Sequence, residues 1–316
     1  MQWSVVDPIR SRVRKSDILE YYGAMTSAES TFELPDKEQY FGQLKRCPKL
    51  SWPAFGLFVL GVGIMAGSTG AALSGDIPLW SASLISGFAL YLLFSIVHES
   101  IHHLLSTNKL VNETFGRISL LLLIPAAPME IARWAHFQHH RFTSGQQDPD
   151  HYIHRAKWWN FLLRWANFDI NYLILFLRDG GEYKQRGRKS LAITAGTFLS
   201  FVGVMIYLGY GVELLFLWIL PSRIGLILVA LVFVKIPHYP AIVTAEENEY
   251  EATTMRLGWE WLLTPLFVYH NYHLIHHLYP TAPFYNYTKI WHLKYEELIA
   301  QKPVIQKGLA LTPSNL

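Results

Sequence analysis

Residues 98–103 read HESIHH, directly after the apolar run ALYLLFSIV. His98, Glu99 and His102 satisfy H-E-x-x-H, the helical pattern in which two histidines grip zinc and the glutamate serves as base. The same imidazoles suit an iron site equally well. Which metal chemistry the stretch encodes therefore depends on what surrounds it.

Composition sets the environment. The 316 residues are 51% hydrophobic and 16% charged, with eleven tryptophans and a mean hydropathy of +0.17, against roughly 25% charged residues in soluble domains. This is the composition of a membrane protein. A net charge of +3 with no basic stripe interleaved with aromatics argues against nucleic acid as a partner. The single cysteine, Cys47, rules out an internal disulfide and a thiolate cluster, so nitrogen or oxygen must hold any metal.

Four stretches are long and apolar enough to cross a hydrocarbon core of about 30 Å. The first, 52–73, carries no charge and contains glycines that favour close helix packing. Leu79 to Val97 follows after the short turn SGDIP, so the two read as a hairpin. A third run spans Ser190 to Val212 and a fourth Leu214 to Val234, with Pro221 and Arg223 inside the fourth; the boundary between them could instead fall at PSR. Residues 118–129 are too short and proline-broken to span, and 158–178 mix tryptophan, arginine and aspartate with leucine; both read as interfacial or half-inserted helices.

Lysine and arginine placement gives the orientation. Arg10, Arg12, Arg14, Lys15, Lys37, Lys45, Arg46 and Lys49 precede the first crossing, SGDIP has none, and KQRGRK at 184–189 precedes the third. Both termini are thus expected in the cytoplasm. No apolar stretch behind a basic start marks residues 1–50 as a secretory leader. The expected organisation is a cytosolic segment 1–50, a membrane domain 51–293 and a cytosolic tail 294–316.

The histidines test this topology. Most of the fourteen fall into HESIHH, HFQHH at 136–140 and HLIHH at 273–277, all on the expected cytoplasmic side. On a helix, positions i, i+3 and i+4 share a face, so His98 with His102, His136 with His139 and His140, and His273 with His276 and His277 each present a cluster. These eight imidazoles exceed what one metal can take, whereas two five- or six-coordinate irons could use them all. A histidine-rich transporter would instead line a path within the crossings.

Three boxes of the form H-x-x-x-H, H-x-x-H-H and H-x-x-H-H, with a pair of crossings between the second and third, resemble the membrane fatty acid desaturase family of non-haem diiron enzymes over roughly residues 80 to 293. RFTSGQQDPD after the second box and NYHLIHHLYPTAPFYN around the third are similar to family sequences, the latter most of all to bacterial acyl desaturases. The resemblance implies an all-α integral membrane fold with four crossings and a cytosolic helical cap holding two irons. It also implies a further histidine ligand between the second and third boxes, for which His238 in KIPHYP is the candidate. His103, His270, Asn271 and Asn248 are possible additional ligands or neighbours of the ligands. Glu99, Asp148 and Asp150 would orient ligand imidazoles, although the two aspartates also suit a turn around Pro149. His151, His154 and His292 read as structural.

The implied reaction is an O2-dependent oxidation of an unactivated C–H bond in a long alkyl chain, with desaturation first and lipid hydroxylation, carotenoid ketolation or fatty acid decarboxylation as alternatives. A separate electron donor is expected, a ferredoxin, a rubredoxin or cytochrome b5 with its reductase, because neither a fused cytochrome b5 turn nor cysteines for a cluster are present. Intramembrane zinc proteases resemble the chain only at HESIHH. Their third ligand lies near an Asp-Gly step, and the one here, Asp179-Gly180, sits in a polar loop.

Overall fold

The computed structural model describes residues 37–314. The basic residues from Arg10 to Lys15 and most of the stretch read as lacking a leader lie outside them. From Phe41 onward the chain forms one compact unit.

Four helices are long and apolar enough to cross a membrane: α1 (Trp52–Leu73), α2 (Leu79–Ile101), α6 (Tyr183–Tyr207) and α7 (Gly211–Lys235). Between α2 and α6 run α3 (Lys109–Leu123), α4 (Met129–Phe142) and α5 (Phe168–Asp179). None of these three is a candidate crossing. After α7 come a strand β1 (Thr254–Leu257), a short helix α8 (His273–Leu278), α9 (Tyr287–Leu293) and a strand β2 (Val304–Lys307). The strands pair in parallel, a small departure from the all-helical expectation.

Two boundaries differ from the sequence expectation, each for a local reason. The helix of the third crossing begins at Tyr183, ahead of the uncharged run from Ser190, because lysine, arginine and glutamine are good helix formers and the long basic side chains reach toward water. It ends at Tyr207 because Gly209 takes a left-handed φ of +87°, so the break falls before Val212 and not at PSR. Pro221 does not end α7. A π-helical segment, Leu215–Ile219, precedes it and shifts the hydrogen-bond ladder where the missing N–H would otherwise leave a gap.

The central element is α2, buried on nearly every side near its C-terminal end. It packs against α1, α3 and α7. A Cβ at Gly116 on α3 would overlap the Ser100 side chain, so only glycine lets α3 lie this close to the end of α2. Asn112, also on α3 and fully buried, donates from Nδ2 to Ser100 O at 3.1 Å and accepts from Leu105 N at 3.2 Å, stitching down the chain that leaves α2. On the far flank, α5 lies against α4 through an edge-to-face contact of Trp134 and Phe176 at 5.5 Å.

The charge inside α7 is compensated. Arg223 donates two parallel hydrogen bonds of 3.0 Å to Asp169 on α5 and a third of 2.9 Å to Ala166 O, which ties this segment to α7. Removing one partner leaves the other charge in a poorly solvated place. Arg223→Ala should lower stability by about 3 kcal/mol, read as a lower unfolding midpoint in detergent, whereas the double change Arg223→Met with Asp169→Leu should recover most of it.

Candidate metal centre

Four elements deliver nine imidazoles to one place. His98 and His102 lie at the C-terminal end of α2, His136, His139 and His140 lie along one face of α4, His238 sits in the turn after α7, and His273, His276 and His277 come from α8. α2 stops at the required point because His103 adopts a left-handed φ of 60°. The N–H of Leu104 then bonds Glu99 O at 2.9 Å and that of His103 bonds Ser100 O at 3.2 Å, the paired pattern that closes a helix C-terminus.

The ring nitrogens converge in two groups. His98, His102, His136 and His276 form one, and His139, His238, His273 and His277 the other, while His140 stands with His276 and His277 between them. Within the first group, Nε2 atoms lie 3.1 Å apart for His98 and His276 and 2.7 Å for His102 and His136. His140 Nε2 is 3.0 Å from His136 and 2.9 Å from His276. In the second group the spacings are 2.9 Å for His238 and His273, 3.1 Å for His273 and His277, and 3.3 Å for His139 and His277.

This donor set fits metal. With metal–nitrogen bonds of about 2.1 Å, adjacent ligands on an octahedron stand about 3.0 Å apart, the spacing found here. Hydrogen bonds among the rings cannot account for it. His276, His140, His273 and His277 each bring Nε2 near two other Nε2 atoms, and a neutral imidazole offers at most one N–H.

The outer ring nitrogens are held so that Nε2 faces inward. His139 donates from Nδ1 to Asp148 at 3.0 Å, with Asp150 at 3.2 Å, and Asp148 is itself fixed by the N–H groups of Ser144 and Asp150. Tyr172 donates to Asp150. His276 Nδ1 lies 2.8 Å from the Tyr287 hydroxyl, and His277 Nδ1 3.4 Å from the Thr143 hydroxyl. Such contacts set tautomer and ring orientation in metal centres.

Electrostatics favour the ligating form. Burial, reinforced by neighbouring imidazoles, holds His136, His140, His238, His273, His276 and His277 well below the ordinary histidine value. They are neutral, with a lone pair available. His139 is the exception. Burial lowers it too, but Asp148 and Asp150 outweigh that and raise it to about 9.

The remaining sequence candidates separate into neighbours and outsiders. His270 is buried with its ring 4.9 Å from that of His98, but it belongs to neither group; its Nδ1 donates to Val268 O at 3.1 Å. Glu99 accepts from the Phe284 N–H at 3.3 Å and places its other oxygen 3.6 Å from His98 Nδ1, too long for a hydrogen bond. Asn271 donates to Thr264 and Asn248 to Glu251, both away from the groups. His103 acts as the stop of α2, and its Nδ1 lies 3.4 Å from Asn112. His292 donates to Thr288 O. His154 is closer to the centre than its reading as structural implied: its ring is 5.6 Å from that of His238, and neither nitrogen has a hydrogen-bond partner among the described residues. Tyr172 and Tyr287 carried no signal in the sequence, because their partners Asp150 and His276 lie 22 and 11 residues away.

An apolar cleft opens beside the centre. Phe94, Ile101, Leu120, Ile131, Val229 and Phe233 line it, and His98, His136, His139 and His273 close the metal side. It lies among α2, α3, α4, α5 and α7.

Four helices long and apolar enough to cross a membrane, together with nine converging imidazoles, define a multi-pass helical membrane protein with a histidine-rich centre able to hold metal. The chain belongs to the fatty acid desaturase family, whose model matches residues 76–307. Comparison with curated proteins gave no match.

The two adjacent histidines at the end of α2 should behave differently. His103→Gly should retain bound metal and stabilise the protein by about 1 kcal/mol, since glycine adopts the left-handed conformation without a Cβ clash. His102→Ala should lose metal. Metal content and unfolding midpoint of the two purified variants check this.

Proposed function

We propose that the protein is an oxygen-dependent fatty acyl desaturase that introduces a double bond into a long alkyl chain. The observation that carries this reading is the pair of four-imidazole groups set against one apolar cleft. The nine histidines would hold two irons, which when bound supply O2 activation and abstraction of hydrogen from an unactivated C–H bond.

The residues of the chain do the positioning. The apolar walls from α2, α3, α4 and α7 hold an alkyl segment and keep water from it, and His98, His136, His139 and His273 border both the cleft and the metal groups. A chain in the cleft therefore presents its methylenes to the face where the metals would sit, the proximity such chemistry requires. Asp148 keeps His139 in the tautomer whose Nε2 faces inward, and Tyr287 does the corresponding work at His276.

The basic residues flanking the crossings favour a cytosolic location for the centre. Electrons would come from a separate donor protein, since one cysteine cannot build an iron–sulfur cluster. Glu99 has no place as a proteolytic base in this reading. It is 1% exposed, accepts from the Phe284 N–H and does not line the cleft.

Fatty acid analysis of cells expressing the protein tests the proposal. A new unsaturated acyl species is expected. His139→Ala and His276→Ala should each lower it by more than about 100-fold with the protein still folded in the membrane, and Glu99→Gln should retain it. Hydroxylated, ketonic or shortened products in its place would keep the centre and overturn desaturation, and an active His139→Ala, His276→Ala double variant would overturn the diiron reading.

A further inference from the structure

His238 stands apart from the other eight imidazoles, since no helix carries it. It lies in the turn after α7, is 1% exposed, and still brings Nε2 to 2.9 Å from His273. A loop residue needs something else to hold it.

The backbone on both sides of His238 is tied to the strand pair. The carbonyl of Pro237 accepts from Thr254 N on β1 at 2.7 Å, and the carbonyl of Tyr239 accepts from Gln306 Nε2 on β2 at 3.1 Å. Gln306 is completely buried. Its Nε2 also donates to Leu311 O at 3.0 Å, and its Oε1 accepts from Arg256, the residue opposite it in the ladder. Arg256 is buried as well, and it donates to Gly308 O at 2.7 Å and Ala310 O at 2.8 Å. A fully buried amide is retained only where its hydrogen bonds are made. Here one of them ends on the residue next to a candidate metal ligand.

We propose that Gln306 is a positioning residue for the second metal group: the β1–β2 ladder, fastened by the Arg256–Gln306 pair, clamps the turn that presents His238. The C-terminal strand is thereby part of the metal centre although it contributes no ligand. This rests on the reading of His238 as a ligand.

Anaerobic iron(II) titration of the purified protein in detergent, alongside the unfolding midpoint of the metal-free protein, tests it. Gln306→Glu keeps an acceptor for Arg256 and removes the donor to Tyr239 O and Leu311 O, so the backbone ladder stays while the clamp goes. The expected result is an affinity of the second iron reduced about 10- to 100-fold, the usual effect of losing a residue that orients a ligand. The first iron should stay unchanged, while the metal-free unfolding midpoint falls by the loss of two hydrogen bonds. Gln306→Asn, too short to span both partners, should act in the same direction. Unchanged affinity in both variants, or an equal loss of both irons, would overturn the positioning role. His238→Ala separates this from the underlying reading. If it leaves the second iron in place, the ligand assignment itself fails; if it removes that iron while Gln306→Glu does not, only the clamp fails.

Discussion

The architecture around the centre depends on nine imidazole nitrogens, each held about 3 Å from at least one other in a buried volume. Lone pairs brought this close repel unless a cation or a shared proton lies between them, and the ring geometry offers too few protons. The histidines along α4 and α8 come from within a turn of each other, but the three helices and the turn that carry the full set must be held by other forces. Those forces are visible: close packing of α2 on α3 at Gly116, the Arg223–Asp169 pair drawing α5 to α7, and the strand ladder gripping the turn of His238. The scaffold supplies the free energy that presses the imidazoles together, and a metal would convert that crowding into stabilisation.

The same crowding explains the electrostatics. Desolvation keeps most of the imidazoles neutral and so ready to ligate, while Asp148 and Asp150 place negative charge behind His139. The centre borders a largely apolar cleft, whose wall also includes Asp150 and Tyr172 from the hydrogen-bonded set behind His139.

Much of this was legible in the sequence, for reasons of geometry. The box histidines follow i, i+3 and i+4 spacing, so a local rule places them on common faces, and the four crossings announce themselves by length and apolarity. His238 lacked such a pattern and was reached only through family resemblance. Its position is set by Thr254 and Gln306, residues 16 and 68 positions further along the chain. His103 and His102 are identical letters, and only the left-handed φ at His103 tells a helix stop from a candidate ligand. The start of α6 was hidden because a charged run can be helical, and its end turned on the conformation of Gly209.

The most direct test of the account is the metal content of the purified, detergent-solubilised protein, measured by atomic emission. Two groups of four imidazoles with His140 between them predict close to two irons per chain. One zinc per chain with no iron would contradict the account and return His98, Glu99 and His102 to the zinc-protease pattern that their spacing first suggested.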